Sequence, residues 1–105
     1  MGIKTREMLD GGTWLVWCPA CDIPHEFRGW TFDGNHEAPT FTPSMKVTTM
    51  AYDGSRELSR CHSHLIAGVW EYLGDCTHGL AGQKAIAPDW PRPIYGGTKP
   101  PRDAP

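Results

Sequence analysis

The residues best suited to chemistry in this chain are its four cysteines, and two of them, Cys18 and Cys21, form a pair within the stretch LVWCPACDIPHEF. Two intervening residues allow both sulfurs to bind one metal ion at a tight turn whose backbone N–H groups point at the thiolates. No apolar run of the signal-peptide kind opens the sequence, so we expect a reducing cytosol, where cysteines bind metal more often than they form disulfides. A thioredoxin-like redox pair is disfavoured, because that motif opens a helix and the segment after Cys21 has the pattern of short strands.

The other half of the site is expected at a hairpin that carries Cys61 and Cys76. Ala67 and Gly68 predict a two-residue turn, and the register that follows places Cys61 opposite Gly74. Cys76 lies two residues beyond Gly74, so it is diagonal to Cys61 on the same face of the sheet. Diagonal Cβ atoms lie about 7 Å apart or less, and side-chain rotation can bring two sulfurs to the roughly 4 Å that one tetrahedral zinc requires.

The leading prediction is therefore a Zn²⁺ site with four thiolate ligands, from Cys18, Cys21, Cys61 and Cys76. A histidine in place of one thiolate is chemically as acceptable. The histidine candidates are His25, His62 and His78. If the chain stays extended, His78 shares a strand face with Cys76, whereas His62 points to the face opposite Cys61. The ligand set is thus left open between a pure cysteine site and a mixed one.

Four thiolates would saturate zinc, so the predicted site is structural rather than catalytic. The helical His-Glu-x-x-His arrangement and the deaminase signature are both missing from the sequence. The alternative is a small metal-dependent enzyme of the hydrolase type, in which His62, His78 and Asp75 converge beside the metal as a proton-transfer cluster. We expect a non-enzymatic protein, with this enzyme as the second hypothesis.

The elements that must position these residues are short strands. The chain has 105 residues, including 12 glycines and 10 prolines, which indicates one domain with many turns. We predict a mainly β fold: a small, zinc-stapled antiparallel sheet with a zinc-ribbon-like knuckle, a three-stranded meander and at most one short helix. The domain is expected at 13–88, after an N-terminal segment 1–12. Strands are predicted at 13–17, 25–32, 45–52, 58–66, 69–73 and 84–86.

The C-terminal segment, residues 89–105, is predicted to be an extended arm, because residues 91–105 contain five prolines and a Gly-Gly pair. Its partner-binding candidates are Trp90, Arg92 and Tyr95, since tryptophan, tyrosine and arginine dominate interface hot spots. The expected partner is another protein, and a further copy of this chain is an open alternative. A net charge of −2 disfavours nucleic acid, and no apolar stretch is long enough for a membrane span.

Several motifs occur in one order over residues 14–90: CPAC…H.F, W.FDGN…PTFTPS, RCHSHLIAGVWEYLGDCTHGLAGQ and PDW. Together they resemble a family of small proteins of tailed bacteriophages and prophages. The resemblance implies a phage gene and metal binding, with the host cytoplasm or the virion as location. Some members carry the label ammonia monooxygenase, which a thiolate knuckle does not support, because an iron or copper oxygenase uses histidine and carboxylate ligands. The family is aromatic where this chain has His64, which argues against His64 as a ligand.

Overall fold

The fold is taken from a computed structural model, which describes residues 2–90. It consists of two antiparallel sheets, and no helix forms among these residues. Within the same range there is consequently no helix that could span a membrane. The mainly β prediction is confirmed. The first sheet contains β1 (Thr5–Glu7), β2 (Thr13–Cys18) and β3 (Ile23–Arg28), and the second contains β4 (Thr31–Phe32), β5 (Phe41–Met50), β6 (Glu57–Ile66), β7 (Val69–Tyr72) and β8 (Lys84–Ile86).

In the first sheet, β2 and β3 form the predicted hairpin around the cysteine pair, with Cys18 opposite Ile23. The strand predicted at 25–32 is wrong in its second half. Gly29 has a φ of +86°, a left-handed conformation that glycine adopts without steric cost, and it ends β3. The chain then enters the other sheet, where Phe32 of β4 lies opposite Phe41 of β5. This crossing joins the two sheets.

Strand β1 lies in the N-terminal segment, for which the sequence predicted no element. It pairs antiparallel with β2, with Arg6 opposite Leu15. Thr5 and Arg6 are buried. The backbone N–H of Trp90 donates to the carbonyl of Ile3 at 2.8 Å, so the end of the described chain lies beside its beginning.

In the second sheet, β5, β6 and β7 form the predicted three-stranded meander. Ala67 and Gly68 both have positive φ, 49° and 78°, as a two-residue type I′ hairpin turn requires. The predicted register follows, with Ile66 opposite Val69. The last predicted strand is β8, which pairs with β7. The one short helix that the sequence allowed does not form in the described residues, and residues 75–82 form a series of non-helical turns.

The core lies between the sheets and is centred on aromatic rings. Phe27 of β3 stacks on Phe41 of β5 with ring centroids 4.1 Å apart, and Trp70 of β7 stacks on Phe27 at 6.0 Å. Strand β6 alternates against this core: Cys61, Ser63 and Leu65 are buried, whereas the residues between them are partly exposed. Consecutive residues of β6 therefore serve opposite faces of the sheet.

Candidate metal centre and side-chain triad

The β2–β3 hairpin brings three potential ligands together. Cys18 is the last residue of β2, and Cys21 lies in the turn that follows. The N–H of Asp22, whose φ is +58°, donates to the carbonyl of Cys18 at 2.8 Å and closes this turn. His25 on β3, opposite Val16, then points its ring into the core. The sequence thus builds a knuckle with a histidine on its return strand.

Cys61, in the middle of β6, completes the group from the second sheet. The ligand atoms of Cys18, Cys21, His25 and Cys61 all lie within 4.8 Å of one another, a spacing that can hold a metal ion. Cys18, His25 and Cys61 are at most 2% exposed, and all four cysteines of the chain are free thiols. Two sheets therefore meet at one cysteine–histidine cluster that could bind a metal.

The buried ring of His25 supports this interpretation. Its Nε2 atom is inaccessible to solvent and has no hydrogen-bond partner, although buried polar atoms are almost always hydrogen-bonded. The ring lies edge-on to Trp70, with centroids 5.6 Å apart, so packing holds its orientation. A buried imidazole beside three sulfurs has the chemistry of a metal ligand.

The electrostatics of the cluster also favour a cation. A hydrogen bond from Cys61 lowers the pKa of the Cys18 thiol to about 3, with further contributions from His25 and Tyr72. Burial and the charge on Cys18 raise the pKa of Cys21 to about 11. The hydrogen bond to Cys18, together with burial, raises the pKa of Cys61 as well. One thiolate therefore suppresses ionisation of its neighbours, and a divalent cation would supply the charge that allows all three to ionise.

Cys76 lies in a second group, with Cys61 and His78, whose ligand atoms are also within 4.8 Å of one another. Its Sγ atom contacts the backbone of His62: it lies 3.2 Å from the N–H, which donates to it, and 3.1 Å from the carbonyl, to which the thiol donates. Cys76 is therefore not part of the group that contains Cys18, Cys21 and His25. The four-cysteine set was the leading prediction, whereas the tetrahedral group contains three cysteines and His25.

His78 is placed as a hydrogen-bond donor to the cluster. Its Nδ1 accepts the backbone N–H of Leu80 at 3.2 Å, so the ring proton resides on Nε2. Nε2 lies 3.4 Å from Sγ of Cys61, to which it can donate. The hydroxyl of Tyr72 lies 3.1 Å from Sγ of Cys18 in a similar arrangement. Both contacts would stabilise thiolates bound to a metal.

His62 belongs to a different constellation, on the opposite face of β6. Its Nδ1 lies 3.1 Å from Oδ2 and 3.2 Å from Oδ1 of Asp75, and its Nε2 lies 3.4 Å from Oγ of Ser44. A carboxylate only accepts hydrogen bonds, so Nδ1 carries the proton and Nε2 is free to accept from the serine hydroxyl. Serine, histidine and aspartate in this order form the relay of a serine hydrolase.

Strand pairing positions the serine, and a loop positions the aspartate. Lys46 of β5 lies opposite His62 of β6, so Ser44, two residues before Lys46, shares its face of the sheet and is diagonal to His62. The Nε1–H of Trp30 donates to the carbonyl of Ser44 at 3.4 Å, which fixes the backbone there. Asp75 follows the end of β7, in the loop that turns back along β6.

A guanidinium group also holds Asp75. Nη1 of Arg60 lies 3.2 Å from Oδ2 of Asp75, while its other nitrogens bind Glu57. The hydrogen bond from His62, followed by that from Arg60, lowers the pKa of Asp75, so the carboxylate is ionised at neutral pH. The side chains of His62 and Asp75 are 27% and 41% exposed, which leaves the triad open to solvent.

A cavity of about 300 Å³ borders the metal cluster, and its lining includes Arg60, Thr77 and His78 as well as three of the four clustered ligands. The second sequence hypothesis placed both His62 and His78 beside the metal. Only His78 lines this cavity. Since His62 faces Ser44 on the far side of β6, the two histidines do not converge on one centre.

Sequence reasoning missed Ser44 entirely and treated His62 and Asp75 as neighbours of a metal. A signal was present, because the three residues fall within the segments PTFTPS, RCHSHL and DCTHGL, all of which belong to the motifs behind the resemblance. The spacing of the three residues along the chain does not indicate a triad, since catalytic triads are recognised by their geometry and not by the order of their residues in the sequence.

Comparisons of this chain with known protein families, with curated proteins and with solved structures found no match. The site is therefore interpreted from its own geometry.

Of the predicted partner-binding residues, Arg92 and Tyr95 lie outside the described residues. Trp90 packs against its own domain: its ring is 6.3 Å from that of Trp17, and the guanidinium of Arg6 lies 5.2 Å from its centroid.

Proposed function

We propose that this protein is a serine hydrolase whose small β fold is held together by a zinc ion. The observation that carries the proposal is the continuous contact from Ser44 Oγ through the ring of His62 to the carboxylate of Asp75. The 3.4 Å between Ser44 and His62 is long for a hydrogen bond, as is common in hydrolases without bound substrate.

In the proposed reaction, Oγ of Ser44 attacks a substrate carbonyl as its proton moves to Nε2 of His62. The resulting imidazolium is stabilised by Asp75, and it returns the proton to the departing amine or alcohol as the bond to the carbonyl carbon breaks. An acyl-serine remains. Water, deprotonated by His62, then hydrolyses this ester and regenerates the serine. No oxidant, reductant or cofactor is consumed, because the sequence of steps is a net hydrolysis.

We propose Zn²⁺ at the cysteine–histidine cluster, because three sulfurs and one imidazole in a tetrahedral spacing are the donor set that zinc favours. The proposed ligands are Cys18, Cys21, His25 and Cys61. Four protein ligands leave no position for water, so the ion would serve as a structural staple. Such a site contributes on the order of 10 kcal/mol to folding, which suits a chain with a small core.

The staple and the triad are adjacent through a single strand. Cys61 would bind the metal on the inner face of β6, and His62, the next residue, projects from the outer face as the general base. Fixing the backbone at Cys61 would also fix the start of the His62 side chain. We therefore expect the zinc to matter for activity although it takes no part in the chemistry.

A test of the hydrolase proposal is covalent labelling with a fluorophosphonate, which reacts only with serines activated by a base. The expected result is one label on the metal-loaded protein, located at Ser44 by peptide mass spectrometry and absent from Ser44→Ala. Ser59→Ala is the matched control, since Ser59 is an exposed serine of β6 without a histidine partner in the hydrogen bonds described above. Labelling that persists in Ser44→Ala would remove the proposal.

The role as a phage-encoded interaction protein stays a prediction from the sequence. Its proposed contact surface is the C-terminal arm, most of which lies outside the described residues. Binding of another protein through that arm is compatible with a hydrolase, because the arm would recruit a substrate while the triad acts on it. Deleting residues 91–105 and measuring turnover of a small ester would separate the two roles.

A further inference from the structure

The loop that carries Asp75 is attached to β6 by side-chain hydrogen bonds and by one backbone bond. The last backbone bond of the regular ladder region joins the N–H of Leu73 to the carbonyl of His62 at 2.8 Å. The chain then turns, with the N–H of Cys76 3.3 Å from the carbonyl of Leu73. Beyond this turn the regular register with β6 is interrupted, so the side chains of the next residues contribute to holding the loop.

Cys76 and Thr77 provide these side chains. The thiol of Cys76 bonds both the N–H and the carbonyl of His62. The hydroxyl of Thr77 accepts the N–H of Arg60 at 2.9 Å and lies 3.3 Å from the carbonyl of Arg60, to which the backbone N–H of Thr77 also donates at 2.9 Å. Two side chains and one backbone N–H of these residues therefore form the hydrogen bonds that a paired strand would form with β6.

Cys76 and Thr77 directly follow Asp75, so their hydrogen bonds to β6 also determine where the Asp75 side chain lies. Asp75 contacts the side chains of His62 and Arg60, and these are the two residues whose backbones Cys76 and Thr77 hold. The distance between the carboxylate of Asp75 and the imidazole is thus set by the hydrogen bonds of Cys76 and Thr77 to the backbone of β6. A carboxylate on an unrestrained loop would not orient the imidazole well, because a displacement of about 1 Å can cost a hundredfold in rate.

We propose that Cys76 and Thr77 are positioning residues of the triad. This inference rests on the proposed hydrolase function. Cys76 bridges the N–H and the carbonyl of His62 and aligns Asp75 with Nδ1. Thr77 holds the neighbouring turn at Arg60.

The test compares Cys76→Ala, Cys76→Ser and Thr77→Val in the full chain purified with zinc. Turnover of p-nitrophenyl acetate gives kcat and KM, and elemental analysis gives zinc per chain. For Cys76→Ala we expect unchanged zinc content, unchanged KM and a fall in kcat of about tenfold or more. Cys76→Ser should recover most of that loss, because a hydroxyl can form the same two hydrogen bonds. Thr77→Val should lower kcat in the same way.

Three outcomes would overturn the inference: loss of zinc in both Cys76 variants, which would make Cys76 a ligand; a kcat equal to that of the unmodified protein in Cys76→Ala; or a change confined to KM. If Cys76→Ala does not fold, Cys76→Ser and Thr77→Val decide by the same criteria. Failure of the hydrolase proposal is separately visible, because Ser44→Ala would then keep both the label and the turnover.

Discussion

The two faces of β6 differ in the burial and in the contacts of their side chains. On the inner face, Cys61 is 2% exposed and belongs to a closed group of four potential ligands. On the outer face, His62 is 27% exposed and contacts a serine and an aspartate that solvent can reach. A saturated, buried site stabilises a fold, whereas an open site with an available nucleophile can turn over a substrate. The comparison teaches that adjacent residues of one short strand can belong to a buried cluster and to a solvent-exposed one.

Loss of the metal or of a ligand on the inner face of β6 should have the largest effect, and that effect should be on stability. Removing zinc with a chelator, or substituting Cys61→Ser, is expected to abolish cooperative unfolding, because a staple worth on the order of 10 kcal/mol exceeds the net stability of most small domains. Circular dichroism melts with and without added zinc would show this. Cys76→Ser is the matched control and should retain its zinc and its melt. A chain that melts cooperatively without metal would break the comparison.

Substitution of His62, on the outer face of β6, should lower activity without changing stability. His62→Ala is expected to lower kcat/KM for an ester by about 10⁵- to 10⁶-fold, because the serine loses its base. Zinc content and melting temperature should stay as in the unmodified protein, since His62 is not among the clustered ligands. If His62→Ala lost its zinc instead, the division between the faces would be wrong.

Asp75→Asn should have a smaller effect of the same kind. The amide oxygen of asparagine can still accept the hydrogen bond from Nδ1–H, but the neutral amide no longer stabilises the imidazolium, so we expect turnover to fall about 10⁴-fold. Glu71→Gln, on the neighbouring strand β7, is a control that removes a carboxylate without touching the triad. Equal losses in both variants would point to a general effect of charge.

The smallest expected effect is on zinc affinity, after removal of a group that can donate a hydrogen bond to a cysteine sulfur. Tyr72→Phe removes the hydroxyl that lies 3.1 Å from Sγ of Cys18, and we expect zinc affinity to fall roughly tenfold to a hundredfold. Competition with a chromophoric chelator measures the change. Tyr52→Phe, an exposed tyrosine of the β5–β6 turn, should leave the affinity unaltered. An unchanged affinity in Tyr72→Phe would mean that the hydroxyl only fills space.

Most of the fold could be predicted from local signals. The Cys-Pro-x-Cys turn, the Ala67-Gly68 turn and the β-branched strands specify hairpins through short-range geometry, and those hairpins are present. Strand β1 was missed because the tripeptide TRE carries no apolar alternation and pairs only through its neighbour β2. The left-handed Gly29, which sends the chain to the other sheet, lies inside the single strand predicted at 25–32, because its conformation leaves no trace in the alternation of apolar residues.

The candidate sites depended on features beyond local pattern. The diagonal relation of Cys61 and Cys76 did bring their sulfurs within 4.8 Å, but the chain turns before Cys76 and the thiol meets the backbone of His62. His25 takes the remaining place because β3 returns beside β2. Ser44 could not be found from spacing, since its approach to His62 depends on the β5–β6 register, which places Lys46 opposite His62 and Ser44 on the diagonal.

The direct succession of Cys61 and His62 leaves this strand intolerant of changes in length. Deleting one residue between His62 and Ile66 while the hairpin to β7 stays in place would carry the side chains of Cys61 and His62 to the opposite faces of the sheet. An insertion there would do the same. Substitutions can weaken the metal cluster or the triad one at a time, but a frame error of a single residue would dismantle both at once.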